Sequence, residues 1–147
     1  PAAPPPPAPP AAVLRGRADR GLSDRVRLAG RVSDEALARL YGQARLFALA
    51  TRYEGYGLVF DEALLAGLPI VTCATGAVPD TVPSGAGVLV PPGDVSAFAA
   101  ALDGVLSDPV RCEALASAAR AAGRTLPTWG DTARIAGAVL DRLYRAG

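Results

Sequence analysis

The stretch "RLFALATRYEGYGLVFDEALLAGLPIVTCA", residues 45–74, decides the fold of this chain. Its two apolar ends, at 45–50 and 69–74, are typical of buried strands. A helical pattern lies between them at 58–66, and Gly67 marks its end. A strand, a helix and a second strand in this order predict a βαβ unit, whose parallel strands we expect to be covered on both faces.

The rest of the chain continues the alternation of strands and helices. We predict further strands at 25–32 and 86–92, and helices at 11–20, after Ser33, from Asp94 to 106, at 109–122 and at 129–145. Strands that alternate with helices are typical of α/β proteins. The sequence therefore predicts a doubly wound parallel sheet flanked by helices.

The segment after Ser33 carries the signals of a helix start. Serine is a preferred N-cap residue, and the two acidic residues that follow it suit the positive end of the helix dipole. The side chains of Leu37, Leu40 and Tyr41 recur at helical spacing. We expect these three side chains to form the buried face of the helix.

The N-terminal segment differs from the remainder in composition. The first ten residues, "PAAPPPPAPP", hold seven of the fourteen prolines in the chain. Proline is excluded from helix interiors and central strands, so we predict a tail or linker at 1–12. The remaining residues, 13–147, are enough for one domain with its own core.

The composition excludes several classes of function. The chain contains no His and no Lys, so His-based catalytic pairs, His-ligated metals and lysine Schiff bases are absent. A formal net charge of +1 does not indicate a nucleic-acid partner. The two cysteines, Cys73 and Cys112, are isolated in the sequence and are expected to behave as small buried hydrophobic residues.

The loop after the first strand of the βαβ unit is the candidate site. In parallel sheets, ligands bind beyond the carboxyl ends of the strands, and the glycines at 55 and 57 allow close approach to the helix N-terminus, which favours an anion. Glu62 lies five residues beyond Gly57, which is about 7 Å along a helix axis. Its carboxylate suits a ribose diol. On spacing alone, Glu62 as a solvated helix residue and Glu54 as a surface charge remain alternatives.

The motif residues also resemble a known family. The pattern Glu54-x7-Glu62, followed by "AGLPIV", is similar to the signature of the family-4 retaining glycosyltransferases of the GT-B type. The segments "GAVPDTV", "GVLVPPGD" and "TWGDTA" extend the resemblance over residues 20–147. The resemblance implies that 13–147 is the C-terminal Rossmann-like domain, which binds the nucleotide-sugar donor, and that an acceptor domain lies outside this chain.

The resemblance assigns roles to individual residues. It implies that Glu54 is the catalytic-site acid that bonds the sugar hydroxyls, while Glu62 bonds the ribose. The backbone amides at 56–58 would meet the diphosphate or the sugar. The expected substrate-binding residues at the motif are Gly55, Tyr56, Gly57, Leu58 and Glu62. Arg52 is the one basic residue beside the motif and is a candidate phosphate contact, with a solvent-facing side chain as the alternative. The reaction would retain the anomeric configuration and use no metal and no cofactor, since the nucleoside-diphosphate sugar is the donor substrate.

Three departures from the family pattern and two alternatives accompany this interpretation. The acceptor domain is absent from this chain, and the proline-rich start replaces the strand and loop whose Arg and Lys clamp the diphosphate in the family. The chain has no Lys to clamp a diphosphate, and Asp80 stands where the family more often has Glu. We expect the chain alone to be inactive, and the whole protein to be cytoplasmic or peripheral at the inner face of the membrane through its acceptor domain. The alternatives are a non-catalytic nucleotide- or partner-binding module, and a glycoside hydrolase that uses Glu54 and Glu62 as its carboxylate pair.

Overall fold

The computed structural model describes residue 16 and residues 18–145. The chain divides into two compact units, Pro1–Gly42 and Gln43–Gly147. The predicted tail at 1–12 and its boundary with the domain lie outside the described residues, as does most of the predicted helix at 11–20. The domain division therefore stays a prediction.

Helix α1 (Asp34–Gln43) occupies the end of the first unit, and its last residue is the first of the second unit. Its start is as predicted, since the Ser33 Oγ accepts a hydrogen bond from the Ala36 amide at 3.3 Å. A hydrogen bond from Ser33 also holds the pKa of Glu35 below its ordinary value. The expected buried face is wrong, because no residue of α1 is buried.

The predicted strand at 25–32 is also wrong, because the structure forms no strand there. The Val26 amide donates instead to the Leu22 carbonyl at 2.9 Å, which closes a turn at the start of this segment. Gly30 then takes a left-handed conformation with φ 63°, which interrupts any extended path. Alternating apolar residues at 26, 28 and 32 are thus not enough to specify a strand.

The second unit is a parallel sheet flanked by helices, which confirms the predicted α/β class. Strands β1 (Phe47–Leu49), β2 (Ile70–Cys73) and β3 (Gly87–Val90) pair in the order β1-β2-β3 and are all parallel. The helices are α2 (Leu58–Leu65), α3 (Val78–Thr81), α4 (Val95–Leu106), α5 (Pro109–Gly123) and α6 (Trp129–Arg145). Each predicted strand and helix after residue 44 is present, with shorter strands than the apolar runs suggested.

The core lies on the central strand. All four residues of β2 are buried, and Val71, Cys73 and Val90 pack with two residues of α4 in one cluster. Both cysteines are free. Cys73 is buried, as expected, whereas Cys112 packs against the same cluster and is only half-buried, so the expectation of a buried residue is wrong for Cys112. The expectation that β1 is covered on both faces is wrong, because its central residue, Ala48, is exposed.

Two helix starts show why the boundaries were readable from sequence. The Asp94 carboxylate accepts the Ala97 amide at 2.8 Å and caps α4. At α6, the Thr128 Oγ1 accepts the Asp131 amide while an Asp131 oxygen accepts the Thr128 amide, which is a reciprocal cap. Hydrogen bonds from Thr128 and Arg134 lower the pKa of Asp131.

Candidate functional site

The β1–α2 loop, defined as residues 50–57, begins at the carboxyl end of β1 and ends at the start of α2. Gly57 is the N-cap of α2, has φ 86° and provides no side-chain cap. A Cβ at this position would lie 2.7 Å from the Phe60 ring. Glycine is therefore required both for the left-handed conformation and for packing, and the first amides of α2 have no side-chain acceptor from their cap.

The structure places the two predicted acids on either side of this glycine. Glu54 is half-buried in the loop, and its Cγ lies 3.4 Å from the point where a Gly57 Cβ would be. Glu62 is exposed in the second turn of α2. The loop and the helix thus bring one carboxylate beside the helix N-terminus and set the second about 7 Å further along the axis.

The remaining predicted residues face outward. Arg52, Gly55, Tyr56 and Leu58 are exposed, and Tyr56 and Leu58 each retain 65% of their accessible surface. Within the described chain, no carboxylate forms an ion pair with Arg52. Its guanidinium is therefore available to an anion from outside the chain.

Sequence reasoning missed the segment that fixes this loop. This clamp segment, residues 75–81, runs from the end of β2 through α3. Three of its groups donate to alternate carbonyls of the loop: Thr75 Oγ1 to Arg52 O at 3.1 Å, the Ala77 amide to Glu54 O at 3.0 Å, and Thr81 Oγ1 to Tyr56 O at 3.1 Å. The loop is thus tied to the rest of the unit at every second residue from 52 to 56.

Gly76 lets the clamp segment come this close. It has φ 54°, and a Cβ there would lie 2.1 Å from the Glu54 carbonyl oxygen. The sequence signal for this contact was only the turn "TGAVPD", which shows that a turn exists but not what it touches.

Two further carboxylates lie near the site. Asp61 sits in the first turn of α2, next to Glu62, and is half-buried. Burial raises the pKa of its carboxyl group above the ordinary value. Asp80 is exposed in the first turn of α3. Asp61 was missed because an acid at a helix start is equally typical of a simple dipole interaction.

Comparison with known proteins decides what this arrangement belongs to. Residues 14–122 match the family model described as glycosyl transferases group 1. The chain therefore belongs to the group 1 glycosyltransferases. It is 34% identical over 127 residues to the MMP alpha-(1->4)-mannosyltransferase of Mycolicibacterium hassiacum, a match that covers 85% of this chain and 31% of the relative.

Solved glycosyltransferase structures share the fold. Sucrose-phosphate synthase from Thermosynechococcus elongatus matches with a TM-score of 0.82 and 32% identity, over 92% of this chain and 34% of that protein. HepE of Anabaena, solved in complex with UDP and with UDP-glucose, matches with a TM-score of 0.78 and 26% identity, over 88% of this chain and 36% of that protein. The chain thus spans about a third of the length of these proteins.

The comparisons also bear on the alternatives raised by the sequence. Membership of a glycosyltransferase family gives no support to a glycoside hydrolase that uses the same two acids.

No helix among the described residues is long and apolar enough to cross a membrane.

Proposed function

We propose that this chain is the donor-binding part of a retaining glycosyltransferase of the GT-B type, which transfers a sugar from a nucleoside-diphosphate sugar to an acceptor. The observation that carries the proposal is the placement of Glu54 and Glu62 around the left-handed Gly57 at the N-terminus of α2. Family membership and the UDP complexes of HepE support it.

The diphosphate would bind at the start of α2. The partial positive charge of the helix N-terminus and the unpaired first amides favour an anion, and the cap residue has no side chain to compete for them. The exposed Arg52, which precedes Glu54 in the same loop, would add a full positive charge. Arg52 would thereby supply part of what a lysine supplies in other phosphate sites.

The two acids would bind the two sugar rings of the donor, one acid to each ring. An ionised carboxylate accepts hydrogen bonds only, so a pair of sugar hydroxyls is its natural partner. Glu62, displaced along α2 from the diphosphate site, would bind the ribose diol. Glu54, in the loop itself, would bind hydroxyls of the transferred sugar and is the residue that we place in the catalytic site.

The acceptor would be held by another part of a longer protein. The relatives are about three times as long as this chain, and transfer needs both reactants held in register, which is worth roughly 7–11 kcal/mol of the barrier. We therefore propose that the isolated chain binds the donor without transferring sugar, and that no metal or further cofactor takes part.

A Glu54→Ala variant tests this division of the donor. Because its proposed contacts are to the sugar alone, the variant should bind free UDP or GDP as the wild type does. The same variant should bind UDP-glucose or GDP-mannose about tenfold more weakly, as expected for loss of a charged hydrogen bond of about 1.5 kcal/mol. Isothermal titration calorimetry with each free nucleotide and its sugar derivative measures both effects.

Asp103→Ala is the matched control, because Asp103 is an exposed acid on α4, outside the loop. It should leave all four affinities unchanged. A Glu54→Ala variant that loses free nucleotide as strongly as nucleotide sugar would contradict the assignment of Glu54 to the sugar.

A further inference from the structure

The clamp segment determines which way the peptides of the β1–α2 loop point. The peptide bonds of this loop are trans, and a trans peptide directs its N–H opposite to its C=O. The clamp holds the carbonyls of Arg52, Glu54 and Tyr56. The amides of the following residues, Tyr53, Gly55 and Gly57, must therefore point away from the clamp segment.

These three amides have no partner in the part of the chain that the structure describes. Gly57 is nevertheless a buried residue, so its amide lies where an unmade hydrogen bond is costly. A row of alternate amides with one common direction and no internal acceptor is suited to an anion with several oxygens.

We propose that Thr75 and Thr81 are positioning residues, which orient the loop so that the amides of Tyr53 and Gly57 face the donor diphosphate. This inference rests on the proposed function for the identity of the anion. The orientation itself follows from the geometry of the free protein. The orientation of the central amide, that of Gly55, does not depend on either side chain, because the Ala77 backbone amide holds the Glu54 carbonyl of the same peptide.

Thr81 is the positioning residue that contacts the loop next to the start of α2. Its single hydroxyl hydrogen is shared between the Tyr56 carbonyl at 3.1 Å and the Ala77 carbonyl at 3.0 Å, so the hydroxyl bridges the loop and the clamp segment as a bifurcated donor. Tyr56 immediately precedes Gly57, and its carbonyl belongs to the peptide that carries the Gly57 amide. Loss of the hydroxyl would release the peptide nearest to the start of α2.

The test compares Thr81→Val with Thr81→Ser in the full chain. Valine keeps the shape without the hydroxyl, whereas serine keeps the hydroxyl. Thr125→Val is the control for loss of a threonine–carbonyl bond elsewhere, because the Thr125 Oγ1 donates to Ala122 O at 2.8 Å beyond α5. Two readouts apply: the chemical shift and exchange rate of the Gly57 amide without ligand, and the affinity for UDP and GDP by titration.

We expect Thr81→Val to shift the Gly57 amide resonance, to speed its exchange and to weaken nucleotide binding about tenfold. Thr81→Ser and Thr125→Val should bind within about twofold of the wild type. An unchanged Gly57 amide with unchanged affinity in Thr81→Val would overturn the proposal, as would a Thr81→Ser variant that is equally impaired.

Failure of the proposed function can be distinguished from failure of this inference. If the wild type binds neither UDP nor GDP, the nucleotide assignment fails, while the shift of the Gly57 amide in the free variants still decides whether Thr81 orients the loop. If Thr81→Val does not fold, Thr75→Val and Thr75→Ser give the same comparison, read at the Tyr53 amide. An unchanged Tyr53 amide in Thr75→Val would then overturn the proposal.

Discussion

Replacement of Gly76 by alanine is expected to destabilise the second unit by roughly 2–5 kcal/mol. The left-handed conformation at φ 54° costs a residue with a Cβ about 1–2 kcal/mol. The new Cβ would also lie 2.1 Å from the Glu54 carbonyl oxygen and 3.0 Å from its carbon, and overpacking of this kind costs about 1–3 kcal/mol. Relief of the clash requires the clamp segment to move away from the loop, which would break the Ala77–Glu54 hydrogen bond.

Gly93 provides the matched control for this variant. It also has a left-handed conformation, with φ 82°, but a Cβ there would meet nothing within 4 Å. Gly93→Ala should therefore show the conformational cost alone, about 1–2 kcal/mol. Urea unfolding of both variants measures the difference. If Gly76→Ala is no less stable than Gly93→Ala, the close contact between the clamp segment and the loop is not present in solution.

Glu62→Gln is expected to weaken nucleotide binding by about 1.5–3 kcal/mol, the range for a hydrogen bond to a charged group. The amide keeps the size of the side chain but removes the charge and replaces one acceptor oxygen by a donor. Glu62 is exposed on α2 and also has an interaction within the protein, so its change to glutamine should alter folding stability by no more than about 1 kcal/mol, the range for an exposed charged contact. Calorimetric titration with UDP and GDP, beside urea unfolding of the same samples, separates the two quantities.

Asp103→Asn is the control for removal of one surface negative charge, since Asp103 is exposed on α4. Its affinity for both nucleotides should equal that of the wild type. If Glu62→Gln binds UDP and GDP as tightly as the control does, Glu62 does not contact the nucleotide.

The βαβ unit was predictable because several local signals agree there. The run at 69–74 is apolar throughout, and β2 is buried at each of its residues. Gly67 was predicted to end α2, and it has φ 70° directly after the Ala66 C-cap. Continuous apolar strand segments and a specific helix stop residue agree with one another here, which explains why this part of the fold follows from sequence.

The first unit was harder to predict, because the strand pattern at 25–32 and the apolar face of α1 become a strand and a buried face only where other segments pack against them. The segment at 25–32 has the alternation of a strand, but a strand exists only if another strand accepts its hydrogen bonds. Leu37 and Leu40 have helical spacing, yet they remain exposed on a correctly predicted helix. Periodicity predicts which face would be buried, not whether anything in the chain covers it.

In the candidate site, too, features set by neighbouring residues were predictable, and features set by residues distant in the sequence were not. Glu54, Gly57 and Glu62 were readable because they lie within nine consecutive positions and carry a recognisable spacing. Thr75 and Thr81 were not, because their hydrogen bonds reach 23 and 25 residues back along the chain. A hydroxyl that bonds a distant carbonyl has no sequence pattern of its own.

The central claim is that a nucleoside diphosphate binds at the β1–α2 loop and the start of α2. The most direct measurement is a titration of the isotope-labelled chain with UDP and with GDP, followed through the backbone amide shifts. We expect saturable shifts concentrated at residues 52–62, with an affinity near millimolar, or about −4 kcal/mol. An absence of shifts with both nucleotides, or shifts concentrated away from this loop and helix, would contradict the account.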